Sequence, residues 1–351
     1  MKIAVDAMGG DFAPQAIVEG AYWAAKNHEV KVVLVGDEDQ VSKELSKYPT
    51  SKLSIYIHHA PHVVAMHESP SVVIRKMKDT SIKVALDLAK EGQAEAVVSA
   101  GNSGAAMALA MFTFRKLEGV DRPAIATIHP SMKGSTVLID SGGNVDCKPF
   151  HLVQFSFMGD AYAKYILGKE EPRIGVLSNG EEESKGNELT REVHEILLKT
   201  DINYVGYVEG QDLNRGNVDV IVCDGFVGNV ALKISEGLWE TISGILKWEA
   251  TDNIRAKVAY FLMKRAMRRL EKRMDYSEYG GAPLLGINGN CVISHGHSNG
   301  KAMMNAILLA SSLAKNKLNE RLTQEIAEKQ ELLRLGQRRQ EKTKEPTNTI
   351  H

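Results

Sequence analysis

Short apolar runs recur along the chain with helix-period segments between them, a pattern that predicts alternating strands and helices. Strands are expected at Lys2–Val5, Val30–Val35, Leu53–Ile57, Ala94–Ser99, Ala124–Ile128, Thr136–Asp140, Arg173–Leu177, Tyr204–Tyr207 and Val218–Cys223. Helices are expected at Pro14–Asn27, Ser81–Glu91, Ala105–Arg115, Leu152–Leu167, Glu188–Lys199 and Val230–Lys247. The first has Pro14 at its entrance and Ala16, Ile17, Gly20 and Ala24 along one side. Such alternation implies an α/β fold, a mostly parallel sheet with helices on both faces. From about Ser235 to Tyr276 the pattern shifts to long helix with basic clusters, an excursion from that core. A second long helix is expected from Lys301 through Leu318, Leu322 and Ile326. Past Gly336 no core-forming apolar set remains, which predicts a disordered tail.

Composition narrows the class. Of 351 residues, 43% are hydrophobic and 25% charged, enough apolar material for a core without disulfide or metal staples. The formal net charge of -1 gives no global field for nucleic acid. Cys147, Cys223 and Cys291 are widely spaced and form no CxxC pair, which argues against a zinc ribbon or redox dithiol. Neither a signal peptide nor a run of spanning length is present, so a cytoplasmic protein is expected.

The strand ends carry the chemistry. Val97-Val98-Ser99 runs into Ala100-Gly101-Asn102-Ser103-Gly104, and Leu138-Ile139-Asp140 into Ser141-Gly142-Gly143-Asn144. Val176-Leu177 precedes Ser178-Asn179-Gly180 and Lys185-Gly186-Asn187-Glu188, and Val222-Cys223-Asp224 precedes Gly225-Phe226-Val227-Gly228-Asn229. Glycine lets backbone approach a ligand, and first-turn amides at the positive end of a helix suit an anion. One such turn is common in any parallel sheet. Four, each with Ser, Asn or Asp, point to a site at the carboxyl ends of the strands. Neither GxGxxG after a strand nor GxxxxGK[ST] occurs; Gly296–Lys301 reads GxxxGK, one residue short.

His58, His59 and His62 could ligate metal, but Pro61 and the absence of supporting cysteines favour exposed loop histidines. His295 follows the apolar run Cys291–Ile293 and precedes Gly296, a placement suited to substrate phosphate. Arg75-Lys76-Met77-Lys78-Asp79 is either a solvated charge run or an attractant for an anionic substrate or acidic carrier.

Met1-Lys-Ile-Ala-Val-Asp6-Ala-Met-Gly9-Gly10-Asp11, Ser99–Gly104, Lys185-Gly-Asn-Glu-Leu-Thr190, Asp224–Asn229 and Tyr279-Gly280-Gly281-Ala282 together resemble the PlsX family. The resemblance runs in order from Met1 to about Ala310 and leaves the tail outside. It implies a three-layer α/β/α, phosphotransacetylase-like fold. On that basis residues 1–315 form one acyltransferase domain, with the helical excursion at about 235–276, and 316–351 a charged helix and tail. The implied reaction is acyl carrier protein thioester plus orthophosphate giving acyl phosphate and free carrier, with no metal or organic cofactor. The implied partners are the carrier, the fatty acyl chain, a second copy in a homodimer, and an anionic membrane surface with its glycerol-3-phosphate acyltransferase. Val227 stands where the family often has threonine, Gly180-Glu181-Glu182 where it has Gly-Thr-Glu, and Gly296-His297-Ser298-Asn299 replaces the usual small polar residues.

The candidate substrate and phosphate residues are therefore Gly9, Gly10, Asp11, Ser99, Gly101, Asn102, Ser103, Gly104, Asn144, Asn187, Asp224, Gly225, Gly228 and Asn229, with Lys185, His295 and Asn229 the catalytic candidates. Orthophosphate is already a substantial dianion at neutral pH and needs positioning, where effective molarities of about 10⁵ M are attainable. It also needs donors for the tetrahedral oxyanion, each worth roughly 2.7–4 kcal/mol. A helix over Asn253–Met274 puts Ile254, Val258, Phe261, Leu262, Ala266 and Leu270 on one face among Lys264, Arg265, Arg268 and Arg269, a pattern for docking on membrane or carrier, or for dimer contact. Two other classes remain open: a coenzyme A phosphotransacylase or dehydrogenase-like enzyme of the same architecture, and a non-enzymatic membrane-docking protein.

Overall fold

In the computed structural model, residues 1–329 are described, apart from Met77 and Asn253. The expected tail past Gly336 lies outside the described residues, as does Asn253 at the head of the basic helix. The strands are β1 (Lys2–Asp6), β2 (Lys31–Gly36), β3 (Ile55–His59), β4 (Ala96–Ser99), β5 (Ala124–Ser131), β6 (Gly134–Ile139), β7 (Ile174–Leu177), β8 (Tyr204–Val208), β9 (Val220–Val222), β10 (Ala282–Leu285) and β11 (Cys291–Ile293). The helices are α1 (Gln15–His28), α2 (Glu38–Leu45), α3 (Pro70–Lys76), α4 (Ser81–Lys90), α5 (Ser103–Phe114) and α6 (Pro149–Tyr165). They continue with α7 (Glu188–Leu197), α8 (Asp212–Arg215), α9 (Gly225–Asp252), α10 (Ile254–Met274), α11 (Gly300–Lys315) and α12 (Leu318–Glu328).

One sheet of 11 strands holds the molecule together, in the order β3-β2-β1-β4-β11-β10-β5-β6-β9-β7-β8. Its two wings are parallel: β3, β2, β1, β4 and β11 on one side, β6, β9, β7 and β8 on the other. Between them β10 runs against both β11 and β5, and β5 runs against β6. The wings therefore point in opposite senses. β10 and β11 are absent from the expected strands: at 4 and 3 residues they are too short to show a period. Yet they occupy the centre of the sheet.

Apolar side chains from both faces of the sheet are buried beneath helices. α6 is buried along nearly its whole length from Phe150 to Ala163, and its buried polar residues His151, Gln154, Ser156 and Asp160 are each hydrogen-bonded. α1 lies against α11 closely enough that a Cβ on Gly20 would stand 2.5 Å from Met303 Cβ. Helix runs from Lys301 to Ile326 as expected, but in two pieces. Asn316 caps α11, Lys317 takes a left-handed φ of 52°, and α12 then turns its Leu318, Leu322 and Ile326 into the core.

One local expectation is corrected. His58 and His59 end strand β3 and are not loop residues; strand pairing with β2 reaches Gly36↔His59, carrying the edge strand two residues beyond Ile57. Arg75 sits in the last turn of α3, so the basic run closes one helix before α4 begins. Lys301, from the GxxxGK stretch, is tied to Asp275 at 3.0 Å and Glu278 at 2.8 Å.

Candidate active site

β1, β4 and β11 release their chains together. Ser99 Oγ donates to Asp6 Oδ2 at 2.7 Å and accepts from the Gly101 amide at 3.1 Å. The Ser294 amide donates to Ser99 O at 2.8 Å, and the Asp11 amide to Gly296 O at 2.9 Å. Burial pushes the Asp6 carboxyl up, against hydrogen bonds from Ser99 and the backbone of Met8 and Gly9. Gly9 and Gly101 are glycines because these turns touch: a Cβ on Gly9 would stand 2.8 Å from Gly101 N. Gly10 lies in the same contact, against Ala100 O and Gly296 O.

Asn102 caps α5, its Oδ1 accepting from Ala105 N at 3.0 Å, while its amide donates to Met66 O at 2.8 Å and Glu68 O at 2.9 Å. It fastens the loop before α3 over the turn. The amides of Ser103 and Gly104, in the first turn of α5, have no intrahelical acceptor and sit at the positive end of the dipole. On the other side of the turn Asp11 pairs with His297 Nδ1 at 2.8 Å, and His297 stacks on His295 at 5.4 Å between centroids. Burial, then the Lys233 ammonium, pushes the His295 imidazole down, which favours its neutral form.

The second wing gathers three of the four turns. β6, β9 and β7 are adjacent and parallel, so the Asp140, Asp224 and Leu177 turns leave side by side. Asp140 is fully buried, and its Oδ1 accepts from the amides of Gly143 at 2.9 Å and Ile125 at 3.0 Å, while Oδ2 accepts from Asn144 Nδ2 at 2.8 Å. Asn144 Nδ2 also donates to Pro123 O at 2.7 Å, so this amide organises the turn. Burial raises the Asp140 carboxyl despite these donors. Gly225 donates its amide to Asn144 O at 2.7 Å, and Asp224 Oδ1 accepts from Val227 N at 2.9 Å to cap α9. A Cβ on Gly228 would collide with Asp140 O, so this glycine answers to the neighbouring backbone. Asn229 is exposed, with its side chain beside Gly142.

In the loop after Leu177, Lys185 Nζ lies 3.8 Å from Glu182. Asn187 caps α7, accepting from Thr190 N at 2.9 Å and donating its own amide to Thr190 Oγ1 at 3.0 Å. α5 spans the two wings: a Cβ on Gly143 would stand 3.3 Å from Met107 Sδ. The charges of Lys233 and Glu236 on α9 act on His295, and that of Glu236 acts on His129 of β5. We take the region bordered by α5, α9 and β5 as the candidate cleft.

A family model described as "Fatty acid synthesis protein" matches residues 1–321. The phosphate acyltransferase of Syntrophotalea carbinolica is 57% identical over 320 residues, covering 91% of this chain and 92% of that protein. That of Geobacter sulfurreducens is 54% identical over 326 residues, covering 93% and 94%. The chain belongs to the phosphate acyltransferase family. It is an acyltransferase. A phosphotransacetylase from Streptococcus pyogenes shares its fold, with a TM-score of 0.60 at 16% identity over 89% of this chain and 94% of that one. The EutD phosphotransacetylase from Staphylococcus aureus gives 0.57 at 15% identity, over 90% and 94%.

For a phosphate acyltransferase the cleft holds groups that strand-end motifs did not single out. Thr127 Oγ1 and Ser141 Oγ meet at 2.6 Å on the floor. His129 is buried against Asn214 at 2.9 Å, and burial pushes its imidazole down. Asp6 and Asp140, charged residues closing apolar strands, were the visible signal for the two turn centres; Thr127 and His129 gave only strand alternation. Among the described residues no cluster of three or more His, Cys, Asp or Glu could hold a metal ion. Burial pushes the Cys147 and Cys291 thiols up to about 12 and Cys223 well above its usual value, which keeps them protonated.

Proposed function

We propose that the chain transfers an acyl group from an acyl carrier protein thioester to orthophosphate, supplying acyl phosphate for bacterial phospholipid synthesis. A phosphate oxygen attacks the thioester carbon, the carbon–sulfur bond breaks, and the carrier leaves as a thiolate that takes a proton from water. The observation that carries this reading is the approach of Met107 to Gly143, which sets the second turn of α5 beside the Asp140 turn of the opposite wing.

In this reading orthophosphate lies between the Ser103 and Gly104 amides and Asn229, with Lys185 contributing charge. Gly9, Gly10, Gly101, Gly225 and Gly228 let the turns close on one another, and Ser99, Asn102, Asn144, Asn187 and Asp224 hold their shape. Neutral His295 is placed to hydrogen-bond phosphate or carrier, and Asp11 orients it through His297. Catalysis then rests on positioning and on donors aimed at the oxyanion.

α9 and α10 pack on each other and present apolar residues outward. Phe261 is 70% and Leu262 76% exposed on α10, among Lys264, Arg265, Arg268 and Arg269. Among the described residues no helix is long and apolar enough to cross a membrane. The exposed apolar and basic face of α10 supports a peripheral, dimeric enzyme lying on an anionic membrane, where acyl phosphate passes to the membrane glycerol-3-phosphate acyltransferase. The side chain of Ile254, assigned to the same face, lies outside the described residues.

The test is to incubate the protein with acyl carrier thioester and orthophosphate and trap the product with hydroxylamine. Acyl hydroxamate formed from the carrier thioester and not from acyl-coenzyme A is expected. Folded protein yielding none from the carrier thioester refutes the reading.

A further inference from the structure

We infer that the open side of α5 is the bed of the acyl chain, and that Ala108, Met111 and Phe112 set the chain length it accepts. This rests on the acyl-transfer reading above. α5 has no charged residue in its 12 positions. A helix apolar on all sides is ordinarily buried on all sides. This one is buried on one half, through Ala105, Ala106, Leu109, Ala110, Thr113 and Phe114. Gly104, Met107, Ala108 and Met111 are half-buried, and Phe112 is 63% exposed. At helical spacing these five form one continuous strip.

The strip has a floor. Ile125 of β5 packs in the same apolar cluster as Met107 and Met111. It also has a start, because the Ser103 and Gly104 amides of the first turn hold the phosphate that attacks the thioester carbon. From there to Phe112 the helix advances about 14 Å at 1.5 Å per residue, the scale of a long acyl chain.

Charge on the other exits fixes the occupant. Asp11, His295 and His297 border the turn on the side away from α5, and all three are polar or charged. An alkyl chain leaving the carbonyl finds an uncharged path along α5. Methionine at Met107 and Met111 suits chains that differ in length and bend, because its unbranched thioether adapts to irregular gaps.

The experiment compares octanoyl and palmitoyl carrier thioesters in wild-type protein, Met111→Trp and Phe112→Ser. Met111→Trp places bulk about 12 Å along the strip, past the end of an octanoyl chain, and should lower the palmitoyl-to-octanoyl ratio of kcat/KM at least ten-fold with the phosphate KM within two-fold of wild type. Phe112→Ser changes an exposed side chain that folding does not need, and should slow palmitoyl transfer while sparing octanoyl. Equal slowing of both thioesters, or none, in folded variants overturns the inference; so does a change of oligomeric state that accounts for the loss. The rise in Tm given by each thioester is read alongside, since ligand binding to the folded state stabilises it. Equal palmitoyl and octanoyl shifts in wild type overturn the bed, whereas a larger palmitoyl shift without acyl hydroxamate overturns the transfer reading and leaves the bed standing.

Discussion

Ser99 Oγ donates a 2.7 Å hydrogen bond to the buried Asp6 carboxyl, 93 residues away in sequence. That bond locks the turn after β4 against the turn after β1, and a Cβ on either Gly9 or Gly101 would press on it. Ser99→Ala leaves a buried acceptor without its donor, a loss of about 1–3 kcal/mol. Urea unfolding should show that decrease, and activity should fall further than the folded fraction does, because the Ser103 and Gly104 amides follow directly. Unchanged midpoint and activity would show that the turn holds its shape without this bond.

Gly228 is required by backbone, not by ligand approach. A methyl there meets Asp140 O, so Gly228→Ala should cost about 1–3 kcal/mol through overpacking. A valine at this position would destabilise further and would not serve as a clean test of binding. Gly228→Ala with wild-type stability would mean that the Asp140 and Asp224 turns separate at little cost.

Asn229 offers an exposed and Lys185 a half-buried polar group in the strand-end loops of the second wing. Lys185→Met should raise the apparent KM for orthophosphate with little effect on stability, and Asn229→Ala should lower kcat. His295, held neutral by burial and Lys233, should affect kcat and its pH profile more than phosphate KM when changed to Gln. Initial-rate kinetics against phosphate decide this; a phosphate KM raised only in His295→Gln would transfer the anion-binding role to His295.

The α10 face separates membrane from subunit. Val258→Gln/Phe261→Gln/Leu262→Gln should abolish flotation with anionic liposomes while the protein stays dimeric and active. Cations near such a surface contribute about 1 kcal/mol each, and wild-type flotation should weaken with salt. A monomeric triple variant would assign the face to the dimer.

Where α12 rests on α6, a buried carboxyl of α6 lies near a half-buried one of α12. Asp160 pairs with Lys164 at 2.6 Å, and Tyr165 donates to Glu325 at 3.0 Å, with Asp201, Arg321 and Lys329 alongside. Burial raises Asp160 above 3.8, and burial with the Asp160 charge raises Glu325 above 4.5. Raised folded-state values mean that their stabilisation is complete below those ordinary values and is lost as pH rises through the raised ones. As pH rises above about 4, wild-type Tm should therefore fall relative to Asp160→Asn/Glu325→Gln. Parallel Tm curves would show that neither carboxyl titrates in that window.

The strands of both wings were legible because β-branched and apolar runs such as Val32–Val35 and Val218–Val222 need no neighbour to be recognised. Glycine and Asn at their ends were legible as turns for the same local reason. What each turn residue does was not. Asn102, Asn144 and Asn187 read as ligand donors, yet their side chains cap or tie backbone, a choice that depends on which acceptors the fold brings within reach.

The sequence by itself determined the alternation of strand and helix, the family motifs and the charge-free composition of α5. Tertiary structure alone decided that the wings run in opposite senses, because that turns on β10 and β11, whose 4 and 3 residues take their conformation from pairing with β5 and β4. It decided the cleft as well. Met107 and Gly143, like Lys233 and His295, become neighbours through the packing of whole helices across a sheet, and no local spacing encodes that contact.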